Sequence, residues 1–292
     1  MHFKEVKGIL SPHNGMNISR GCVHGCIYCD ARSACYNMPH EFEDVEIKIN
    51  APQLLEERLK TKRKKCMIST GAMSDPYIPL PENLSNIRSC LEIIEKHGFG
   101  LAIQTKSDLI LRDLDILKRI NHKAKCVVEM TLTTFDEGLC KILEPHVATT
   151  KERFEALHIL RDQGIPTAVW LSPILPFIND TEENLRGILG YCIEAKVYGI
   201  ICFDMGMTLR EGDREYFYQN LDKSFPGLKQ RYQTRYGNDY IITSDKNRAL
   251  MDIFSEICRR NNIVCDNDTV FEYLRSFEEK HTREQLTLFD LD

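Results

Sequence analysis

The residues with the clearest chemical potential form one short string, Ser19-Arg-Gly-Cys22-Val-His-Gly-Cys26-Ile-Tyr-Cys29-Asp-Ala-Arg32. Three thiolates within eight residues can cap three corners of an iron–sulfur cubane. A cluster used only for electron transfer normally takes four cysteines, so three ligands leave one metal position free to bind a reactant. Gly21 and Gly25 allow close backbone approach and can turn N–H groups toward sulfur. Three other readings stand beside this one. Zinc held by the cysteines and His24 would strain a tetrahedron, because His24 lies inside the first interval. A four-cysteine cluster would need Cys35 as its last ligand. Simple burial of three cysteines fits poorly with so glycine-rich a loop.

The loop needs a scaffold, and the surrounding sequence supplies one. Cys66–Thr70, Gly100–Gln104, Lys125–Met130, Pro166–Trp170 and Tyr198–Phe203 are near-continuous apolar runs, the pattern of parallel strands covered on both faces. Met16–Ser19 reads as a first strand ending directly at the cysteine loop. Amphipathic helical segments lie between the later strands, at Asn83–His97, Asp108–Ile120, Lys151–Gln163 and Thr181–Ala195. This alternation predicts a parallel α/β sheet, either open and doubly wound or a partial barrel, with functional loops at the carboxyl ends of the strands. From about Gly206 the text becomes polar and rich in Tyr and Arg, with a helix near Asp245–Asn261. We divide the chain into a core at 1–205, a helical C-terminal extension at 206–280 and a tail at 281–292.

The net charge of −5 argues against a broadly basic nucleic-acid surface but leaves room for a local basic groove. The one basic run, Lys60-Thr-Lys-Arg-Lys-Lys65, reads as a solvated helix end entering a strand. Nothing resembles a signal peptide or a membrane span, so a cytoplasmic protein without membrane contact is expected. Twelve cysteines is a high count for a reducing compartment, and the nine outside the loop read mostly as small core hydrophobes.

The C-x3-C-x2-C spacing with Tyr28 before the last cysteine resembles the signature of the radical S-adenosylmethionine (SAM) superfamily. Further motifs, each following a predicted strand, are similar to its spore photoproduct lyase-like branch, the "DNA repair photolyase" relatives. They are Gly71-Ala-Met-Ser-Asp-Pro-Tyr77 with Pro79 and Glu82, Thr105-Lys106-Ser107, and Glu129-Met-Thr131. Glu144-Pro145, Glu152-Arg153 and Trp170-Leu-Ser-Pro-Ile174 complete the series. The resemblance implies a partial (β/α)6 TIM-type barrel. It implies a [4Fe–4S] cluster on Cys22, Cys26 and Cys29, with SAM chelating the open iron. It also implies reductive cleavage of SAM and hydrogen abstraction by the 5′-deoxyadenosyl radical. Tyr28 would lie beside the adenine, Ser74 at the methionyl end, Lys106 at the SAM carboxylate and Thr131 in place of a SAM-contacting serine. The branch carries a hydrogen-donating cysteine two residues before that first serine, where this chain has Ala72. A thiol such as Cys35, or Tyr77 as a phenolic donor, could substitute, and nothing in the sequence selects one.

The resemblance makes a nucleic-acid base the leading substrate. A small molecule, peptide or RNA is the alternative, and a non-catalytic iron–sulfur or zinc module is a third reading. The enzyme would need an electron donor such as flavodoxin or ferredoxin. The tail segment Gln285-Leu-Thr-Leu-Phe289 resembles the peptide by which repair and replication proteins bind the sliding clamp; packing of its apolar residues on the parent fold is the alternative.

Overall fold

The computed structural model describes residues 1–280. The clamp-like motif at 285–289 therefore lies outside the described residues. Three short strands open the chain: β1 (His2–Lys4), β2 (Gly15–Met16) and β3 (Ser19–Arg20). The stretch expected as one strand is thus divided. Gly15 and Met16 pair with the main sheet, while Ser19 and Arg20 pair antiparallel with β4 (Glu46–Lys48). The Lys48 N–H to Ile18 O bond (3.0 Å) and the Lys48 Nζ to Asn17 O bond (2.6 Å) pull the chain across at that point. β1 pairs parallel to β4 and completes a three-stranded sheet.

The main sheet adds β5 (Met67–Thr70), β6 (Gly100–Thr105), β7 (Cys126–Thr131), β8 (Thr167–Trp170) and β9 (Gly199–Ile201) to β2. All neighbours are parallel, in the order β2-β5-β6-β7-β8-β9, and β9 does not return to β2. The fold is an α/β partial barrel with a mostly helical C-terminal part. Its crossovers contain α1 (Ala51–Thr61), α2 (Pro81–Lys96), α3 (Leu114–Lys123), α4 (Glu137–Leu143), α5 (Thr150–Asp162) and α6 (Glu182–Glu194).

Side-chain alternation divides the core into two faces. Cys126, Val128 and Met130 point outward into a core shared with buried residues of the helices, including Ile87, Leu91 and Ile94 of α2. Val127 points inward, with Met67, Ala102, Ala168 and Ile201. Local signals start several helices: Thr149 and Glu152 form a capping box on α5, and Thr181 caps α6. The segment expected as one helix from Asp108 begins instead as a 3-10 turn over Asp108–Asp113. Asp113 is drawn fully into the interior, where Arg88 (2.8 Å) and Tyr77 (3.2 Å) bond to its carboxylate, and α3 starts afresh behind it.

After β9 come β10 (Gly206–Thr208), α7 (Asp213–Ser224), α8 (Leu228–Tyr236) and β11 (Ile241–Thr243), the two strands pairing antiparallel. Phe217, Tyr218, Tyr232 and Tyr236 of α7 and α8 form a second core with Cys26, Ile27 and Tyr28. The Tyr-rich text therefore covers the cysteine loop. α9 (Asn247–Arg260) follows, and α10 (Asn267–Arg275) plugs the barrel with Val270 and Leu274. Buried Lys125 fastens this plug by donating to Tyr273 O (2.7 Å), Ser276 Oγ (2.8 Å) and Glu278 Oε1 (2.8 Å). No helix among the described residues is long and apolar enough to cross a membrane.

Candidate active site

With one end of the barrel filled by α10, a cavity of about 580 Å³ remains among the loops that follow the strands. Cys22, Cys26 and Cys29 line it, together with Tyr28, Ser74, Lys106 and Thr131. All seven residues expected from the sequence are therefore brought to one space. The three thiols are free. His24 Nδ1 lies 3.6 Å from Asp75 Oδ2.

Burial, reinforced by Asp75, pushes the Cys22 thiol up to about 12; burial pushes Cys26 well above its ordinary value and raises Cys29. Thiols in such a setting ionise when a metal takes the proton's place. The His24 N–H already points to Cys22 Sγ (3.5 Å), the kind of contact that tunes cluster sulfurs.

The loop is pinned from several sides. Gly21 has φ +85°, and a Cβ there would lie 2.4 Å from Phe42 O, the carbonyl that accepts the Cys22 N–H (3.0 Å). Its glycine thus serves a close approach to protein backbone. Ser74 Oγ donates to Gly21 O (2.7 Å) and lies 3.0 Å from Ser19 Oγ, so this hydroxyl holds the loop. Ile27 N–H bonds Leu143 O (3.0 Å), and His146 N–H bonds His24 O (3.1 Å).

Two carboxylates organise the surroundings. Asp75 accepts Thr105 Oγ1 (2.7 Å), Tyr77 N–H (2.8 Å) and Lys106 N–H (2.8 Å), tying the end of β6 to the loop after β5. Glu144 accepts the Tyr28 hydroxyl and forms an ion pair with Arg153, both charged groups being buried. Arg153 also donates to Thr131 O (2.6 Å) and Cys140 Sγ (3.3 Å). Burial would raise Glu144, but Arg153 and Lys106 outweigh it and hold the carboxyl below its ordinary value. Neither hub was legible beforehand: the Ser-Asp-Pro string signals a turn, and nothing local says that Glu144 and Arg153 meet in the interior.

Two groups in the cavity lack partners. Lys106 Nζ has no carboxylate within ion-pair distance among the described residues and lies 5.8 Å from the Tyr28 ring centre. Burial lowers its pKa, but Cys26 and Cys29 as thiolates, together with Glu144, raise it overall. Thr131 Oγ1 is buried without a hydrogen-bond partner. A charged, hydrogen-bonding ligand such as an amino acid moiety fits both needs. Trp170, Phe203, Tyr36, Tyr240 and Arg210 also line the cavity. Ala72 lines it, and neither Cys35 nor Tyr77 does so. Tyr77 is fully buried in the main core, and exposed Cys35 accepts from Arg210 (3.1 Å) outside the cavity lining.

A cysteine loop just after β2 and β3, facing a cavity among the loops of a parallel partial barrel, defines a class of cluster-dependent enzyme. The radical SAM superfamily profile matches residues 16–190, and the chain belongs to that family. It is 35% identical to the uncharacterized protein MJ0683 of Methanocaldococcus jannaschii over 234 residues, 79% of this chain and 85% of the other. Identity to the uncharacterized protein Rv2578c of Mycobacterium tuberculosis is 27% over 227 residues, 76% of this chain and 66% of that one. The fold is similar to a spore photoproduct lyase complexed with dinucleoside spore photoproduct. That match has a TM-score of 0.62 and 14% identity, over 90% of this chain and 78% of the lyase. The family implies a [4Fe–4S] cluster and SAM.

Proposed function

We propose that Cys22, Cys26 and Cys29 hold a [4Fe–4S] cluster with an open iron, and that the enzyme takes a hydrogen atom from a nucleic-acid base. Reduced and carrying SAM, such a cluster supplies the electron that gives methionine and a hydrogen-abstracting 5′-deoxyadenosyl radical. Lys106 meets the SAM carboxylate, because a charged partner offsets the cost of burying that group. Thr131 gives its unpartnered hydroxyl to the same ligand. Tyr28 is held rigid by Glu144 and packs beside the adenine, while Ser74 fixes the loop at the methionyl end.

The observation that carries the substrate proposal is the shared cavity. It joins the thiols to Trp170 and Phe203, whose ring centres are 6.3 Å apart, and to Arg210. Aromatic faces stack on planar bases, and a guanidinium suits phosphate. The lyase of similar fold is complexed with a dinucleoside photoproduct, which supports the same substrate class. Ala72 supports a different hydrogen-return step from that of the branch. A small molecule, peptide or RNA is the second reading, favoured by Ala72 and the net charge of −5. The partners called for are a flavodoxin or ferredoxin type reductant and, through Gln285–Phe289, a sliding clamp.

The test is anaerobic turnover with oligonucleotides carrying deuterated modified or photodamaged thymine. Deuterium transfer into 5′-deoxyadenosine and steeply salt-dependent binding are expected. Salt-independent binding without deuterium transfer would remove the nucleic-acid substrate and leave the second reading.

A further inference from the structure

On the three-stranded sheet, outside the cavity, two imidazoles and two carboxylates converge. The metal-binding atoms of His2, His40 and Asp44 all lie within 4.8 Å of one another, and no other such group occurs among the described residues. His2 Nδ1 is 3.0 Å from Asp44 Oδ2, and the two imidazole rings meet edge to face at 4.7 Å. Glu46, buried on β4, places Oε2 at 3.9 Å from Nε2 of both histidines.

His40 gives the cluster its direction. Its Nδ1 lies 2.9 Å from Glu41 O, and a carbonyl only accepts, so Nδ1 carries the proton. A backbone carbonyl behind the ring is how metal-bound histidines are commonly oriented. The remaining nitrogen, Nε2, is buried with no hydrogen-bond partner, and its side chain is 13% exposed. Glu46 Oε2, at 3.9 Å, is beyond hydrogen-bond reach of this nitrogen. Lys4 Nζ neutralises Glu46 from another side at 2.9 Å, and the Met1 amino group lies 2.9 Å from Asp44 Oδ1. Neither reaches Nε2 of His40.

We propose that His2, His40 and Asp44 bind a divalent transition ion of the zinc class, with Glu46 outside the ligand set. Two imidazole nitrogens and one carboxylate oxygen suit such an ion, with a fourth position left to water. Tetrahedral zinc with bonds near 2.0–2.1 Å sets its ligands about 3.3 Å apart, so the His2–Asp44 pair, at 3.0 Å, is already in place and His40, within 4.8 Å of both, closes by side-chain movement. The ion would clamp β1 to the segment that contains Phe42, whose carbonyl holds Cys22 N–H. It would act as a structural clasp behind the cysteine loop.

The test uses the full chain reconstituted anaerobically, so that iron occupies its own cysteines, then equilibrated with zinc chloride and desalted. One zinc per chain beyond the iron content is expected, together with a zinc-dependent rise in melting temperature. Both should disappear in His2→Ala/His40→Ala with iron content unchanged. Asp44→Asn, a half-exposed isosteric change, repeats the test should the double variant fold poorly. Cobalt chloride in place of zinc should give only weak d–d absorption. Failure to retain zinc, equal retention by the variants, or intense thiolate-to-cobalt charge transfer would each overturn the proposal.

Discussion

Replacing Arg153 by Met tests how the interior supports the site. Arg153 and Glu144 are 0% and 1% exposed, and the pair also holds Tyr28 and the carbonyl of Thr131. Removing one member of a buried ion pair strands the other, at a typical cost of about 3–5 kcal/mol. Here the stranded group is the Glu144 carboxylate, with Thr131 O also losing its donor. Arg153→Met is therefore expected to lose about 4 kcal/mol, close to a 10³-fold fall in the folding equilibrium constant. Arg153→Met/Glu144→Gln removes both charges while leaving an acceptor for Tyr28, and should recover about half of that loss or more. The assay is urea unfolding of the cluster-free chain at pH 7, followed by circular dichroism. The sign of the pH effect is also fixed. Glu144 is depressed in the folded protein, so its contribution is present above the ordinary carboxylate value near 4.3 and is lost as pH falls through the lower folded value. A single variant within about 1 kcal/mol of wild type, or a double variant no better than the single one, would refute the argument.

Glu129, buried on β7 with its carboxylate accepting Trp170 Nε1–H (2.6 Å), is held up to about 7 by desolvation. Folding favours its protonated form, so that contribution is full below the unfolded value and lost as pH rises toward 7, roughly 3 kcal/mol in all. Glu129→Gln should accordingly gain about 6 °C in melting temperature over wild type between pH 5 and 8; a difference that does not change with pH would contradict this. Gly71 has φ +105°, and a Cβ there would sit 2.0 Å from Gln104 O, whereas Gly98 has φ +63° and open space. Gly98→Ala should cost about 1–2 kcal/mol, and thermal melts should show Gly71→Ala to be clearly worse; equal costs would sink the steric account. Lys106→Met should weaken SAM binding, measured by calorimetry on the reconstituted protein, by about 10-fold or more, without loss of iron.

The strands around the cavity were readable because both of their faces are covered, which leaves long apolar runs such as Lys125–Met130. The amphipathic pattern over Lys151–Gln163 announced α5, and the structure adds the Thr149–Glu152 capping box that starts it. What escaped depends on partners distant in sequence. β1 and β4 are three-residue strands brought together across the intervening chain. The β10–β11 hairpin is interrupted by two helices, so no turn marks it. Within the site, Tyr28, Lys106 and Thr131 followed from the family resemblance, and the structure adds that Thr131 Oγ1 is buried without a hydrogen-bond partner. Asp75 as a hub, and Arg153 as a fully buried charge, could be found only once burial was known, since neither periodicity nor composition places a charge inside.

Cys22, Cys26 and Cys29 are proposed to hold a cluster able to cleave SAM. The most direct measurement is 5′-deoxyadenosine formed from SAM and dithionite by the anaerobically reconstituted chain, compared with Cys22→Ala, Cys26→Ala and Cys29→Ala. Formation by the wild type and its loss in all three variants is predicted. Continued formation in any one variant, or none in a wild type that holds a reducible [4Fe–4S] cluster, would contradict the account.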